Sequence, residues 1–150
     1  MTITDLVEKA HKNAKDKGFY EKTESLIEAL RGTLDPIDKE DNKIYDELMH
    51  SIISTRLMLI VSELGEALEA LRNNRQCPQY DIDVILNIED NNEFKRLYDD
   101  YIKGTFEEEI ADVPIRLADM SKYMNIDLEK HIQAKMRYNS MRPKLHGKVS

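Results

Sequence analysis

Apolar residues recur at helical spacing in nearly every segment where they cluster. Residues 4–17 place Leu6, Val7, Ala10 and Ala14 on one side with polar residues between them, the three- and four-residue rhythm of an amphipathic helix. Thr4 is the expected N-cap, Asp5 lies in the first turn where negative charge is favoured, and Gly18 is the expected stop. Phe19 and Tyr20 follow in an expected loop, and a short helix over 23–31 is bounded by Gly32 and the Asp35-Pro36 turn. From about Asp41 to Asn73 the pattern predicts one long helix. Five apolar residues run consecutively from Leu57 to Val61, and Leu64, Ala67, Leu68 and Leu71 continue them. A helix apolar nearly all round belongs in a core, yet Glu63 and Glu66 stand in its second half, on either side of Leu64 and Gly65.

Residues 73–105 are the least regular part, and a connection of that length is uncommon unless it has structure or function of its own. Within it, Asn92 to Ile102 reads as a short helix with Phe94, Leu97, Tyr98 and Tyr101 on one side. A second core helix is expected from Phe106 to Asn125, with Ile110, Val113, Leu117 and Met120 or Met124 inward. Pro114 should kink it, because the ring displaces the backbone bond to Ile110. Asp127 caps a last helix to about Arg142, and Pro143 and Gly147 begin the tail. The pattern predicts a single all-α domain over residues 1–150. Its core is a four- to five-helix bundle in which the two acid-bearing helices run antiparallel, with no sheet of consequence.

Composition narrows the function classes. With 34% charged and 41% hydrophobic residues, five Gly and four Pro, the chain has the balance of a globular protein rich in regular elements. A net charge of −7 disfavours nucleic-acid polymers as partners, unless a basic face is segregated. The single Cys77 excludes an intramolecular disulfide. No stretch is expected to approach the roughly 18 or more apolar residues of a membrane span, and the first residues lack the apolar centre of a signal peptide. The expectation is a cytoplasmic protein without a membrane partner.

The candidate chemistry is acidic. Glu63-x-x-Glu66 and Glu109-x-x-Asp112 share one spacing, and residues three apart are neighbours on a helix face, so each pair can chelate a hard cation or bridge two. If the two helices pack together, four carboxylates meet. Two unit charges about 4 Å apart repel by roughly 4 kcal/mol at an effective dielectric of 20, a cost that Mg²⁺ relieves. The competing interpretation is a solvated acidic face, and for Glu108, Glu109 and Asp112 a favourable position near a helix start.

At these residues the sequence resembles the MazG-like nucleotide pyrophosphohydrolases of the all-α superfamily. LMLIVSELGEALEALRNN (57–74) resembles the family's first metal-binding helix. EEEIADVPIRLADMSKYMNIDLEKHIQAKMRYNSMRPKLHGK (107–148) resembles its second metal-binding helix and C-terminal motif, and AHKNAKDKGFY (10–20) is similar to the N-terminal segment of some members. The resemblance implies hydrolysis of nucleoside or deoxynucleoside triphosphates to the monophosphate and pyrophosphate, with Mg²⁺ or its substitute Mn²⁺, by a homodimer or homotetramer. It implies Glu63, Glu66, Glu109 and Asp112 as metal ligands. Lys135, Tyr138, Asn139 and Arg142 match K-x-x-Y-N-x-x-R and would contact phosphates or sugar. The chain departs from compact members in its long connector from Ala67 to Glu108 and in Pro114 just beyond Asp112.

Smaller expectations attach to neighbours. Glu108 is a candidate outer ligand or water-orienting base, against a solvated surface Glu. Asp119 is expected to be a structural partner, of Arg116 or Arg56, rather than a ligand. His11, Asn13, Phe19 and Tyr20 are candidates for recognising a base, since a ring can stack on any nucleobase; alternatively Phe19 and Tyr20 pack a helix end. Two rival functions remain. A non-catalytic helical oligomeric protein would carry the acids as a vestigial site. A di-iron carboxylate bundle needs two Glu-x-x-His motifs, and only Glu47-x-x-His50 fits.

Overall fold

Helices are the only regular elements among the described residues, 1–35 and 38–143 of the computed structural model. In order they are α1 (Ile3–Asp16), α2 (Glu21–Arg31), α3 (Lys39–Arg72), α4 (Gln79–Ile85), α5 (Asn91–Tyr101), α6 (Phe106–Tyr123) and α7 (Leu128–Ser140). The all-α class holds, with α4 added inside a connector whose pattern announced only α5. The helix continues past Pro114 to Tyr123. Pro36 and Gly147, expected at a turn and in the tail, lie outside the described residues.

Helix ends follow local chemistry, with one correction. Thr2, not Thr4, caps α1: its hydroxyl accepts the Asp5 N–H, and the Asp5 carboxylate accepts the Thr2 N–H, a reciprocal pair that Thr4 has no acid to match. Asp127 caps α7 as expected. α1, α3 and α6 each close on a residue in the left-handed region: Gly18 at φ 77° after α1, Asn74 at 53° after α3 and Asn125 at 54° after α6. In each case the next N–H reaches back to a helix carbonyl, Phe19 to Ala14 (3.1 Å), Arg75 to Ala70 (2.9 Å) and Ile126 to Ser121 (2.8 Å). That closure satisfies carbonyls the helix leaves open.

The chain divides into two compact units, one holding Met1–Glu21 and the chain from Ala118, the other Lys22–Leu117. In the first, α1 packs on α7 and on the last residues of α6. Val7, Ala10 and Ala118 are buried together, with Ile3, Leu6 and Leu128 against them. Thr4 donates its N–H (2.9 Å) and hydroxyl (2.5 Å) to Glu129 on α7, and Lys122 pairs with Glu8 at 2.6 Å.

In the second unit, α3 and the first part of α6 run antiparallel. Glu63 meets Arg116, Glu66 approaches Glu109, and beyond the helix end the Arg75 carbonyl accepts the Phe106 N–H at 3.0 Å. Positions rising along one strand of contacts fall along the other, as expected. The connector builds a small core of its own, Cys77, Ile85 and Ile102, with Ile82, Phe94, Leu97 and Tyr98 around it. Tyr101, expected on that side, is exposed.

Burial of α3 differs from the expectation. Its buried residues are Glu63, Ala67 and Ala70, while Leu57, Val61, Leu64, Leu68 and Leu71 are between 43% and 52% exposed. The stripe that α6 covers carries small and acidic residues, and the larger side chains on neighbouring stripes stay about half exposed among the described residues. On α6, Ile110 is exposed for the same reason: Glu109 and Arg116 turn toward α3, and one residue is a rotation of about 100°. By length and composition α3 is apolar enough to cross a membrane, with a mean hydropathy of 1.2 over 18 residues. This corrects the expectation that no stretch approaches that length: Arg56 and Glu63 break the apolar run without lowering its mean below that value.

Candidate metal centre

Glu63 and Glu66 are one turn apart on α3, and Glu109 stands in the first turn of α6. Antiparallel pairing brings one carboxylate oxygen from each to within 4.8 Å of the others. Glu63 is buried, 4% exposed, whereas Glu66 is exposed. An all-oxygen set of this kind suits a hard divalent cation; octahedral Mg²⁺ at bonds of about 2.0–2.1 Å leaves its remaining positions to water or phosphate. The residues present fit such an ion.

Asp112, the fourth expected ligand, is outside that triad but within its field. Burial first, then the charges of Glu63 and Glu108, push its carboxyl above the ordinary range, while Arg116 pulls the other way. Glu109 is raised as well, by burial and then by Glu108, Glu66, Glu63 and Asp112. The repulsion anticipated from the spacing is therefore present across the two helices. A neighbouring cation offsets part of it: Arg116 Nη2 lies 2.6 Å from Glu63 Oε1. Arg116 is four residues beyond Asp112 and seven beyond Glu109, so it shares their face, the sequence signal that marks it.

Glu108 has a structural occupation. One oxygen accepts the Gly104 N–H at 2.6 Å and the other the Tyr98 hydroxyl at 3.2 Å, which fastens the connector to α6. Burial and Glu108 push the Tyr98 hydroxyl up to about 12, so it remains a donor. Glu107 accepts the Cys77 N–H at 2.8 Å and fastens the other end.

The other expected residues fall in the first unit. Asp119 is a structural partner, of His11 and Tyr20: its Oδ1 is 2.8 Å from His11 Nδ1 and 2.5 Å from the Tyr20 hydroxyl. Tyr20 is 1% exposed, its ring centre 4.9 Å from that of His11 and 5.1 Å from that of Tyr123. Such a ring packs the end of α1, and the base-stacking role expected of it has no open face. Phe19, 71% exposed, and the exposed Asn13 keep that option. Lys135, Tyr138 and Asn139 are exposed on α7, and Arg142 just beyond it; the Lys135 ammonium sits 5.2 Å from the Tyr138 ring centre. Glu47 and His50 are exposed on α3. Among the described residues, Glu63, Glu66 and Glu109 are the cluster able to hold a metal, which leaves the di-iron alternative without a second motif.

No protein-family model, curated protein or solved structure matches the chain.

Proposed function

We propose that this chain is a MazG-like nucleotide pyrophosphohydrolase, which uses Mg²⁺ to hydrolyse a nucleoside or deoxynucleoside triphosphate to the monophosphate and pyrophosphate. The observation that carries it is the convergence of Glu63, Glu66 and Glu109 from two antiparallel helices, in the same helices where the sequence resembles that family. Glu63, Glu66 and Glu109 would hold the ion and Asp112 would complete the set. When bound, a divalent ion supplies a water of lowered pKa and positive charge against phosphate oxygens. The resemblance gives Lys135 and Arg142 the neutralisation of phosphate charge and Tyr138 and Asn139 contacts to phosphate or sugar. The fastening of Glu108 to Gly104 and Tyr98 makes it a residue that positions Glu109, its neighbour in the same turn.

A second reading, a non-catalytic oligomeric protein with a vestigial site, draws on the exposed leucines of α3. One experiment separates the two. Purified protein with Mg²⁺ and a panel of NTPs and dNTPs is expected to release pyrophosphate, and Glu66→Gln to abolish the release while leaving the metal-free melting temperature unchanged or higher, because a repelling charge is gone. Release of single phosphate only, or of nothing, would sink the enzyme.

A further inference from the structure

Arg116 holds one oxygen of a carboxylate that a metal would need. Glu63 is the most deeply buried acid of the triad, and a buried carboxylate without a counter-charge is costly. The Arg116 guanidinium supplies that charge through Nη2 at 2.6 Å. Its attachment is incomplete: the Arg116 Nε is buried without a hydrogen-bond partner, so the Nε side of the guanidinium does not join the grip on Glu63. Its side chain is 40% exposed, leaving the long stem a route toward water. A guanidinium and a divalent ion held by one carboxylate would repel each other.

We infer that Arg116 is a resident counter-cation which neutralises Glu63 in the metal-free protein and competes with a divalent ion for that carboxylate, so that it sets the metal affinity of the site. The inference rests on the proposed metal centre and adds a positioning residue that competes with the ion. Unlike a ligand, Arg116 weakens metal binding; unlike a purely structural ion pair, it is exchanged when the ion arrives.

The test uses Mn²⁺ alone as probe on the full chain, counting free ion by electron paramagnetic resonance and following melting with and without EDTA. Arg116→Gln is expected to lower the Mn²⁺ Kd by about tenfold or 1.4 kcal/mol, to lower the metal-free melting temperature, and to enlarge the rise that Mn²⁺ produces. Arg116→Lys should shift the Kd in the same direction by a smaller factor, since an ammonium is more readily reclaimed by water; it carries the test if the glutamine variant does not fold. A Kd equal to or weaker than wild type in the folded variants overturns the inference while leaving the metal centre standing. No Mn²⁺ binding by wild type at millimolar concentration overturns both.

Discussion

At the scale of single residues, the centre shows how the same few carboxylates raise a folding cost and create a binding site. Glu109 and Asp112 both have raised pKa values, chiefly through burial and then through neighbouring acids. A carboxyl raised in the folded state contributes stability that is fully present below its unfolded pKa, about 4.3 for Glu, and is lost as pH rises through the folded value. In EDTA, the melting temperature of wild type should therefore fall relative to Glu109→Gln as pH rises from about 4 to 7. Each kcal/mol corresponds to about 2–4 °C for a chain of this size. Calorimetric scans of both proteins across that range check it, and parallel curves would mean that Glu109 is well solvated. Glu63-x-x-Glu66 and Glu109-x-x-Asp112 were legible in the sequence because helix geometry puts i and i+3 on one face. Engagement of Glu108 by Tyr98 and Gly104 was not, since its partners lie in a segment with no strong periodicity.

At the scale of elements, boundaries were set by chemistry within a few residues of each end, which is why most helices were readable to within a turn or so. The misplaced cap at Thr4 shows the limit: two threonines compete, and Thr2 wins through the acid three residues on. The two asparagines that end α3 and α6 are easily overlooked as ordinary polar residues. Asn tolerates positive φ better than most side chains, and Gly better still. Asn74→Ala should destabilise by about 1 kcal/mol, whereas Asn74→Gly should be neutral or slightly stabilising; urea melts of the three proteins measure the order. Equal losses in both variants would show that the Asn74 side chain, rather than its φ of 53°, is what matters.

At the scale of the molecule, α3 is the unfinished element. Leu57, Val61, Leu64, Leu68 and Leu71 follow one another at intervals of four, three, four and three, the spacing of a coiled-coil seam, and all are exposed. The proposed homodimer or homotetramer would place this stripe against a second copy. Light scattering at micromolar concentration should show an oligomer, and Leu64→Glu with Leu68→Glu should give monomers that keep their helical circular dichroism. A wild-type monomer under the same conditions would remove self-association as the reason for the stripe. Association with lipid vesicles instead would turn attention to the hydropathy of the same helix.

The sequence by itself determined the helical class, the long α3, the acidic pairs and their spacing, and the cap at Asp127. Each of these depends on interactions within a few residues, and a local pattern carries that information. Only the tertiary structure decided which acids meet: Glu66 joins Glu109 rather than Asp112 in the tightest group, because the stagger of α3 against α6 is set by contacts far apart in the chain. The same holds for Arg116 on Glu63, for Asp119 between His11 and Tyr20, and for the bare leucines of α3. Periodicity tells that a face is apolar; whether anything covers it depends on the area its neighbours present. Here α6 offers one narrow stripe, and the leucines beside it on α3 stay about half exposed.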